Sequence, residues 1–582
     1  MSLKVWFLAA LLSLPLASSS IKLPKLLKRS FLCKICQKTE ERFLKLIKSG
    51  QKGVIDLVLK FCRTGTSPEG CDYFIKNKAE LLLPLKTLFV KETDYFCSQK
   101  FKFCDPKVDK FSLEAFERSL YARYPPIQVP KVEGVLKFKA IVLNDIHVQQ
   151  KYLFKASKDC PEQIGCCDAK SGIPELPELQ AGYWGAPNSM CDIPPYTFEK
   201  AVQLIKEKET DADALFVLGD LSSHDFVYQD EDMIERTNRF VFDTLKGNFS
   251  IPIVPVVGNH ECDPIDYFNW DDPNSFVRRK IFPIYSRVIS PEQISELVND
   301  GFFVREFPKH NLKVVSFNTQ LGDIFNDYLA KNATNPLGCL TKLAKTFSES
   351  EKKGQKVLIL THIPISDLFI SRIFSRSLQA IFERFKQIFS GMFSAHMHLD
   401  QLKFLKTKEG EIYGLNFISP SLTTFSSYRP SYRVYTFEEG KVLDYEQYNI
   451  NIDFFNKRAL EGSFDLKFEL AYTFRKEYQV SSNTPQDFAS LYRRFLHKKG
   501  EFAERYLRNH FTQPLSDMEK QRNFVVCSIE NDYDLMAECL KRLDPYNWID
   551  LFSSKVYRFF FENDWFYAKE PLQKSKAKSK RN

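Results

Sequence analysis

After its first twenty residues this chain has no apolar stretch long enough to cross a bilayer as a helix, which takes about 20 residues, and a later helical span is excluded. It has no convincing internal repeat either, which removes architectures made of stacked identical units. Neither a basic and aromatic stripe nor a zinc-finger spacing accompanies the net charge of +9, so nucleic acid is not an expected partner. Histidine is scarce, with nine residues in 582. That scarcity gives weight to any place where histidines gather.

What is present describes a globular, multi-domain protein. The length exceeds that of one ordinary domain, and 44% hydrophobic with 27% charged residues is the balance of packed protein rather than of disorder. Lys4, the apolar run Val5 to Ala17 and the small residues Ala17 to Ser20 match a cleavable secretory signal over residues 1–20, too short for a membrane anchor. Fourteen cysteines, an even number, then fit an oxidising compartment, either extracellular or lysosome-like. Asn248-Phe249-Ser250 and Asn332-Ala333-Thr334 are glycosylation sequons on the same route. The basic tail from Lys574 to Arg581 reads as a solvated end with a weak attraction to anionic membranes.

Cys33, Cys36, Cys62, Cys71, Cys97 and Cys104 crowd into one short region, and the residues between them carry helical periodicity, as in Phe43, Leu44, Ile47, Val54, Ile55, Val58 and Leu59. A helical unit this small has little core and needs staples. The spacing resembles the saposin B-type domain over residues 30–107. That resemblance implies the pairs Cys33–Cys104, Cys36–Cys97 and Cys62–Cys71, which spacing alone leaves open, and implies peripheral contact with lipid. A bundle that only covers its neighbour, or a zinc site at Cys33-x2-Cys36, are the rival readings.

Prolines in Tyr124-Pro125-Pro126-Ile127-Gln128-Val129-Pro130 favour an extended connector, so residues 108–134 are expected to be a linker. From 135 to 450, short β-branched runs alternate with helical segments, as in an α/β unit. Residues 451–582 place Phe488, Leu491, Phe495 and Phe502 at helical spacing and are expected to form a helical subdomain.

The chemistry gathers at the ends of apolar runs. Ala140 to Leu143 precede Asn144-Asp145-Ile146-His147, and Leu215 to Leu218 precede Gly219-Asp220. Ile253 to Val257 lead to Gly258-Asn259-His260-Glu261, Val357 to Leu360 lead to Thr361-His362, and a run through Phe393 ends at Ala395-His396-Met397-His398. Short apolar runs suit buried strands, whose terminal loops present ligands from a rigid sheet, so the motifs are expected to converge. His147, His224, His260, His362, His396 and His398 all lie in or beside these motifs. Asp and His with one Asn suit zinc, manganese or iron, and a carboxylate such as Asp220 can bridge two ions where imidazole cannot.

This ordered set, D-x-H, G-D, G-N-H-E, H and H-x-H, is similar to the calcineurin-like metallophosphoesterases, and the preceding six-cysteine unit narrows the resemblance to the acid sphingomyelinase family. Cys160-Pro161, Gly165-Cys166-Cys167, Gly182-Tyr183-Trp184-Gly185, Cys191-Asp192-Ile193-Pro194, His224-Asp225, Ser419 to Thr424 and Tyr432 to Tyr435 extend it from about residue 30 to beyond 540.

The resemblance implies a small all-α stapled domain, then a β-sandwich flanked by helices, of mixed α/β and α+β class, then the helical subdomain. It gives one zinc ion to Asp145, His147, Asp220 and His398 and a second to Asp220, Asn259, His362 and His396. A hydroxide held between the ions would attack phosphorus. His260, with His224 close by, would protonate the departing alkoxide, unless the two only bind phosphate or buttress ligands. Tyr432 is expected either in a headgroup site or in the core, and Glu261 behind the ligands. Further implied disulfides are Cys160–Cys166, Cys167–Cys191 and Cys527–Cys539, with Cys262 and Cys339 paired together or free.

Ala395 and Thr361 stand where the family carries glycine, which raises the question of positive φ there. Ser223 replaces the tyrosine ligand of purple acid phosphatases, an argument for zinc over a ferric centre. The expected reaction is hydrolysis of sphingomyelin, or a related phospholipid at a membrane surface, to ceramide and phosphocholine by a monomer. A soluble phosphodiester such as a nucleotide is the second reading, and an inactive lipid-binding protein the third.

Overall fold

The computed structural model describes residues 113–543, apart from 161–165, 188, 226–228, 367–368, 426–427, 482–483, 498–499, 513–517 and 532. The signal segment, the six-cysteine unit with its three implied pairs, and the basic tail lie outside the described residues.

Apolar runs that end in polar motifs become strands. β1 (Phe138–Leu143), β2 (Ala214–Val217) and β3 (Ile253–Pro255) pair in parallel, and β10 (Ser431–Glu438) lies antiparallel on the other side of β1. β11 (Lys441–Asn449) and β12 (Glu469–Thr473) complete a six-stranded sheet in the order β12-β11-β10-β1-β2-β3. The second sheet also has six strands, β4 (Phe302–Phe307), β5 (Leu312–Phe317), β6 (Lys356–Leu360), β7 (Phe389–Ser394), β9 (Ile412–Ile418) and β8 (Gln401–Lys406), in that order.

Their facing sides meet through aromatic rings. Phe393 of β7 stacks on Tyr435 of β10 with centroids 4.0 Å apart, and also meets Phe216 of β2 at 6.3 Å. Such pairs contribute about 0.5–1.5 kcal/mol each beyond the area they bury. Parallel strands need crossovers, and these are amphipathic helices on the outer faces. Examples are α2 (Pro195–Lys208) between β1 and β2, α3 (Glu231–Asn248) between β2 and β3, α5 (Cys339–Lys352) and α6 (Arg372–Arg384). α3 starts where the Asp230 side chain accepts a hydrogen bond from Met233 N, and α6 where Ser371 accepts from Phe374 N.

Two expected boundaries shift. The linker region contains a helix, α1 (Leu113–Arg123), and its proline segment is anchored: Arg384 donates to the carbonyls of Tyr124 and Pro125 while holding Glu351 in a bidentate pair at 2.8 and 2.9 Å. The region after residue 450 carries α7 (Ile452–Leu460) and the helices α8 (Pro485–Phe495), α9 (Glu501–His510), α10 (Met518–Cys527) and α11 (Tyr533–Leu543), but it also contributes β12 to the first sheet. Alternation in Glu469–Thr473 is too weak to announce a strand, and pairing with β11 decides it. Arg433 of β10 is fully buried, with a guanidinium nitrogen 2.8 Å from Asp400, which in turn accepts a hydrogen bond from Tyr472 of β12.

Candidate metal centre

Asp145 and His147 follow β1, Asp220 follows β2, Asn259 follows β3, His362 follows β6, and His396 and His398 follow β7. All five strands deliver their loops to one end of the sandwich, as the paired sequence motifs lead one to expect. One nitrogen or oxygen from each of Asp145, His147 and His398 lies within 4.8 Å of the others, and the same holds for Asp220, His362 and His396. His362 Nε2 is 3.1 Å from Asp220 and 2.9 Å from Asn259 Oδ1, while His396 Nδ1 is 3.0 Å from the same amide oxygen. His147 Nε2 stands 3.6 Å from Asp220, so this carboxylate adjoins both groups.

Backbone carbonyls set the imidazole tautomers. His362 Nδ1 donates to Leu218 O at 2.7 Å and His147 Nδ1 to Ser222 O at 2.6 Å, which leaves Nε2 of each as a lone-pair donor. His147 Nε2 is buried with no hydrogen-bond partner. A buried acceptor without a donor is unfavourable by about 1–3 kcal/mol unless something else meets it.

The electrostatics point the same way. Burial pushes the Asp145 carboxyl up to about 7, the nearby Asp220 adding to the effect and His362 opposing it. Burial works against the His362 cation, yet Asp220 and Asp145 outweigh it and hold its pKa up at about 9. Burial, reinforced by His224 and His260, keeps His147 well below the ordinary range, and burial with His224 does the same for His398. The neutral His147 and His398 imidazoles and the buried carboxylates, with no Lys or Arg among them, form a donor set suited to divalent cations, and a bound cation would displace the proton that His362 carries. The residues present therefore fit a dimetal centre, with Asp145, His147 and His398 as one donor group and Asp220, His362 and His396, beside Asn259, as the other.

The backbone at this end is strained. Asp145, His147, Asp220, His396 and His398 all have positive φ, between 45° and 69°. Each such residue is unfavourable by about 1–3 kcal/mol and persists because its surroundings hold it. Ala395 and Thr361 are not among the positive-φ residues, so no glycine is needed there. The need for glycine lies elsewhere. Gly219, at φ 91°, lies so close to the Gly258 backbone that an added Cβ would sit 2.6 Å from Gly258 N, and a Cβ on Gly258 would strike Asp220. Glu261 pins these two loops together, its carboxylate accepting from Gly258 N at 2.7 Å, Asp220 N at 2.9 Å and Leu221 N at 2.8 Å.

His260 and His224 adjoin the cluster, with ring centroids 4.7 and 3.9 Å from that of His147. His260 Nδ1 faces Ser223 O at 3.3 Å, and its backbone N–H donates to Asp220. His224 Nδ1 faces Asp192 at 2.9 Å. Asp192 carries no role in the motif reading; its signal is its place beside Cys191 in the insertion. Tyr432 is not brought to the cluster. It is buried in the core, stacked on Tyr448 at 4.8 Å with its hydroxyl donating to Glu209, which corrects the headgroup expectation in favour of the core alternative.

Three disulfides are formed among the described residues, Cys160–Cys166, Cys167–Cys191 and Cys527–Cys539, while Cys262 and Cys339 are free and buried. Asn332 is exposed, and Asn248, at the end of α3, is half-buried. Among the described residues, no helix is long and apolar enough to cross a membrane.

Residues 138–400 match the calcineurin-like phosphoesterase family. Over 442 residues the chain is 28% identical to sphingomyelin phosphodiesterase 2 of Caenorhabditis elegans, covering 70% of this chain and 71% of that one. Over 371 residues it is 27% identical to the human sphingomyelin phosphodiesterase, covering 61% of this chain and only 57% of that protein. It is also 25% identical to the human cyclic GMP-AMP phosphodiesterase SMPDL3A, across 61% of this chain and 81% of the relative. With the five strand-end motifs converged on one cluster of metal donors, these likenesses relate the chain to the sphingomyelin phosphodiesterases and make it a phosphoric diester hydrolase with a calcineurin-like phosphoesterase region over residues 138–400.

Proposed function

We propose that this chain hydrolyses sphingomyelin to ceramide and phosphocholine with two zinc ions, in a secreted or lysosome-like compartment. The observation that supports it most is the pair of donor groups that adjoin at Asp220, flanked by His260 and His224, in a chain whose relatives include sphingomyelin phosphodiesterases. When bound, two zinc ions supply a water of lowered pKa as nucleophile and neutralise the phosphate oxygens. The chain's own residues do the rest. Asp145, His147, Asp220, Asn259, His362, His396 and His398 would hold the ions, and the left-handed backbone at five of them fixes the direction of their donor atoms. Glu261 keeps the Asp220 and Asn259 loops in register. His260 and His224 are placed to give a proton to the departing oxygen, a role worth about 10²–10⁴ in rate.

The six-cysteine region supports a lipid substrate presented at a membrane, and the disulfides support an oxidising compartment. Asn248 and Asn332 are the proposed glycan sites. Likeness to a cyclic GMP-AMP phosphodiesterase favours a second reading, a soluble phosphodiester. The deciding experiment incubates the purified, zinc-loaded protein with sphingomyelin liposomes and, separately, with a cyclic dinucleotide. Phosphocholine release that disappears in His260→Ala is the expected result; turnover of the dinucleotide with none of the liposomes would select the second reading, and inertness towards both would reject each.

A further inference from the structure

We propose that Asp192 is a positioning residue for the reaction, acting through His224, and that the disulfide-stapled insertion between β1 and α2 exists in part to deliver it. The inference rests on the phosphodiesterase reading above. Asp192 is 2% exposed and sits one residue after Cys191, whose disulfide to Cys167 ties the end of the insertion to its middle. Its carboxylate joins three separate pieces of chain. One oxygen accepts from the His224 backbone N–H at 2.7 Å, the other lies 2.9 Å from His224 Nδ1, and Thr423, in the loop after β9, donates its hydroxyl to it at 2.7 Å. The Asp192 backbone is held in turn, its N–H donating to Gln149 Oε1 at 3.1 Å.

The ring that Asp192 holds is fixed in its plane as well. Phe425 stacks on one side of His224 at 3.7 Å with the planes 6° apart, and His147 lies on the other at 3.9 Å. A carboxylate on Nδ1 selects the tautomer with the proton on that nitrogen and assigns exchange with a substrate to Nε2. The two contacts to His224, one to its backbone and one to its ring, fix the direction in which Nε2 points. A residue meant only to fill space would not need two contacts to one histidine and a third partner turning the carboxylate toward it.

The step this serves is balanced as follows. The oxygen of water bonds to phosphorus, the bond from phosphorus to the alcohol oxygen breaks with its electron pair on that oxygen, and His224 Nε2 supplies the proton that makes it an alcohol. The proton released from water returns the imidazole to its charged form. His260, whose ring centroid lies 4.7 Å from that of His224, is the second candidate to supply that proton.

Leaving groups separate this role from a structural one. A 4-nitrophenolate departs without a proton, whereas the alkoxide of a lipid does not. The experiment measures kcat and KM of the zinc-loaded full chain and of Asp192→Asn on bis(4-nitrophenyl) phosphate and on sphingomyelin in mixed micelles. In the variant, kcat should fall at least about tenfold further on sphingomyelin than on the aryl diester, with KM changed less than about twofold on either, and Asp192→Glu should recover part of the loss. Equal losses on both substrates, or no loss, would overturn the proposal. Should Asp192→Asn fail to fold, Thr423→Val carries the test: a skew in the same direction supports the role and parallel rates reject it. An unmutated protein inert on both diesters would reject the phosphodiesterase reading itself, a different outcome from a uniform loss in the variant.

Discussion

Two buried carboxylates, Asp400 and Asp145, sit on the same sandwich and differ in what meets them. Asp400 has the Arg433 guanidinium at 2.8 Å and the Tyr472 hydroxyl, and Arg433 itself lies over the Tyr445 ring at 4.1 Å. Its charge is balanced within the chain. Asp145 accepts from the backbone N–H of His396 and the side-chain amide of Asn144, has the His362 Nε2 no nearer than 4.0 Å, and is lifted by burial to about 7. The first arrangement is finished on folding. The second is a socket suited to a cation from outside, and the difference separates scaffold from site without reference to any motif.

Four outcomes would break or sharpen that contrast. Asp220→Ala removes the donor adjoining both groups, and should lower diester hydrolysis by more than the ~10–100-fold that loss of an outer partner brings, with zinc content by elemental analysis falling in step. If activity survived with full metal content, the socket would lie elsewhere. Arg433→Ala strands Asp400 and should destabilise the fold by about 3–5 kcal/mol in denaturant titrations, by the same amount with zinc or with chelator present. A loss confined to one metal state would mean that the two regions are a single unit. Glu261→Gln, which weakens the pin between the Asp220 and Asn259 loops, should loosen zinc by ~10–100-fold in competition with a chelator while leaving the denaturation midpoint of the metal-free protein nearly unchanged.

The smallest effect is on pH. His362 is held up at about 9 in the folded, metal-free protein, against the ordinary 6.5 of an imidazole, so between pH 6.5 and 8 the folded state binds more protons than the unfolded one. Stability of the metal-free protein should therefore fall as pH rises through this window, Asp145 and Glu261 adding to the slope up to about 7. Above 8 the buried Lys403, pushed down to about 8 by burial, acts in the opposite sense. Thermal melting across pH 6.5–8 checks this: the part of the slope above pH 7 should largely disappear in His362→Phe, and saturation with zinc should reverse the slope because the metal takes the place of the protons.

Much of the site is legible in the sequence because each donor directly follows an apolar run, and a buried strand has few places to put a polar residue except its end. His147, His362 and His396 are found that way. Asp192 is not, since its partner His224 lies across a disulfide-bonded insertion and a crossover helix, a contact that only tertiary folding makes. Tyr432 shows the opposite failure. It lies in a motif, but its side chain faces Tyr448 and Phe468, and which face of a strand a tyrosine takes is fixed by register rather than by neighbours in sequence. Strand β12 escaped because its pairing with β11, not its own pattern, holds it.

The left-handed backbone at the donor positions sets heat resistance against chemistry. Asparagine tolerates that conformation and carries no charge, so Asp145→Asn relieves a buried carboxylate while removing a metal donor. A library of this gene sorted only for survival of heating in chelator would be drawn toward such replacements, and its most robust members would be the least able to cleave a phosphodiester.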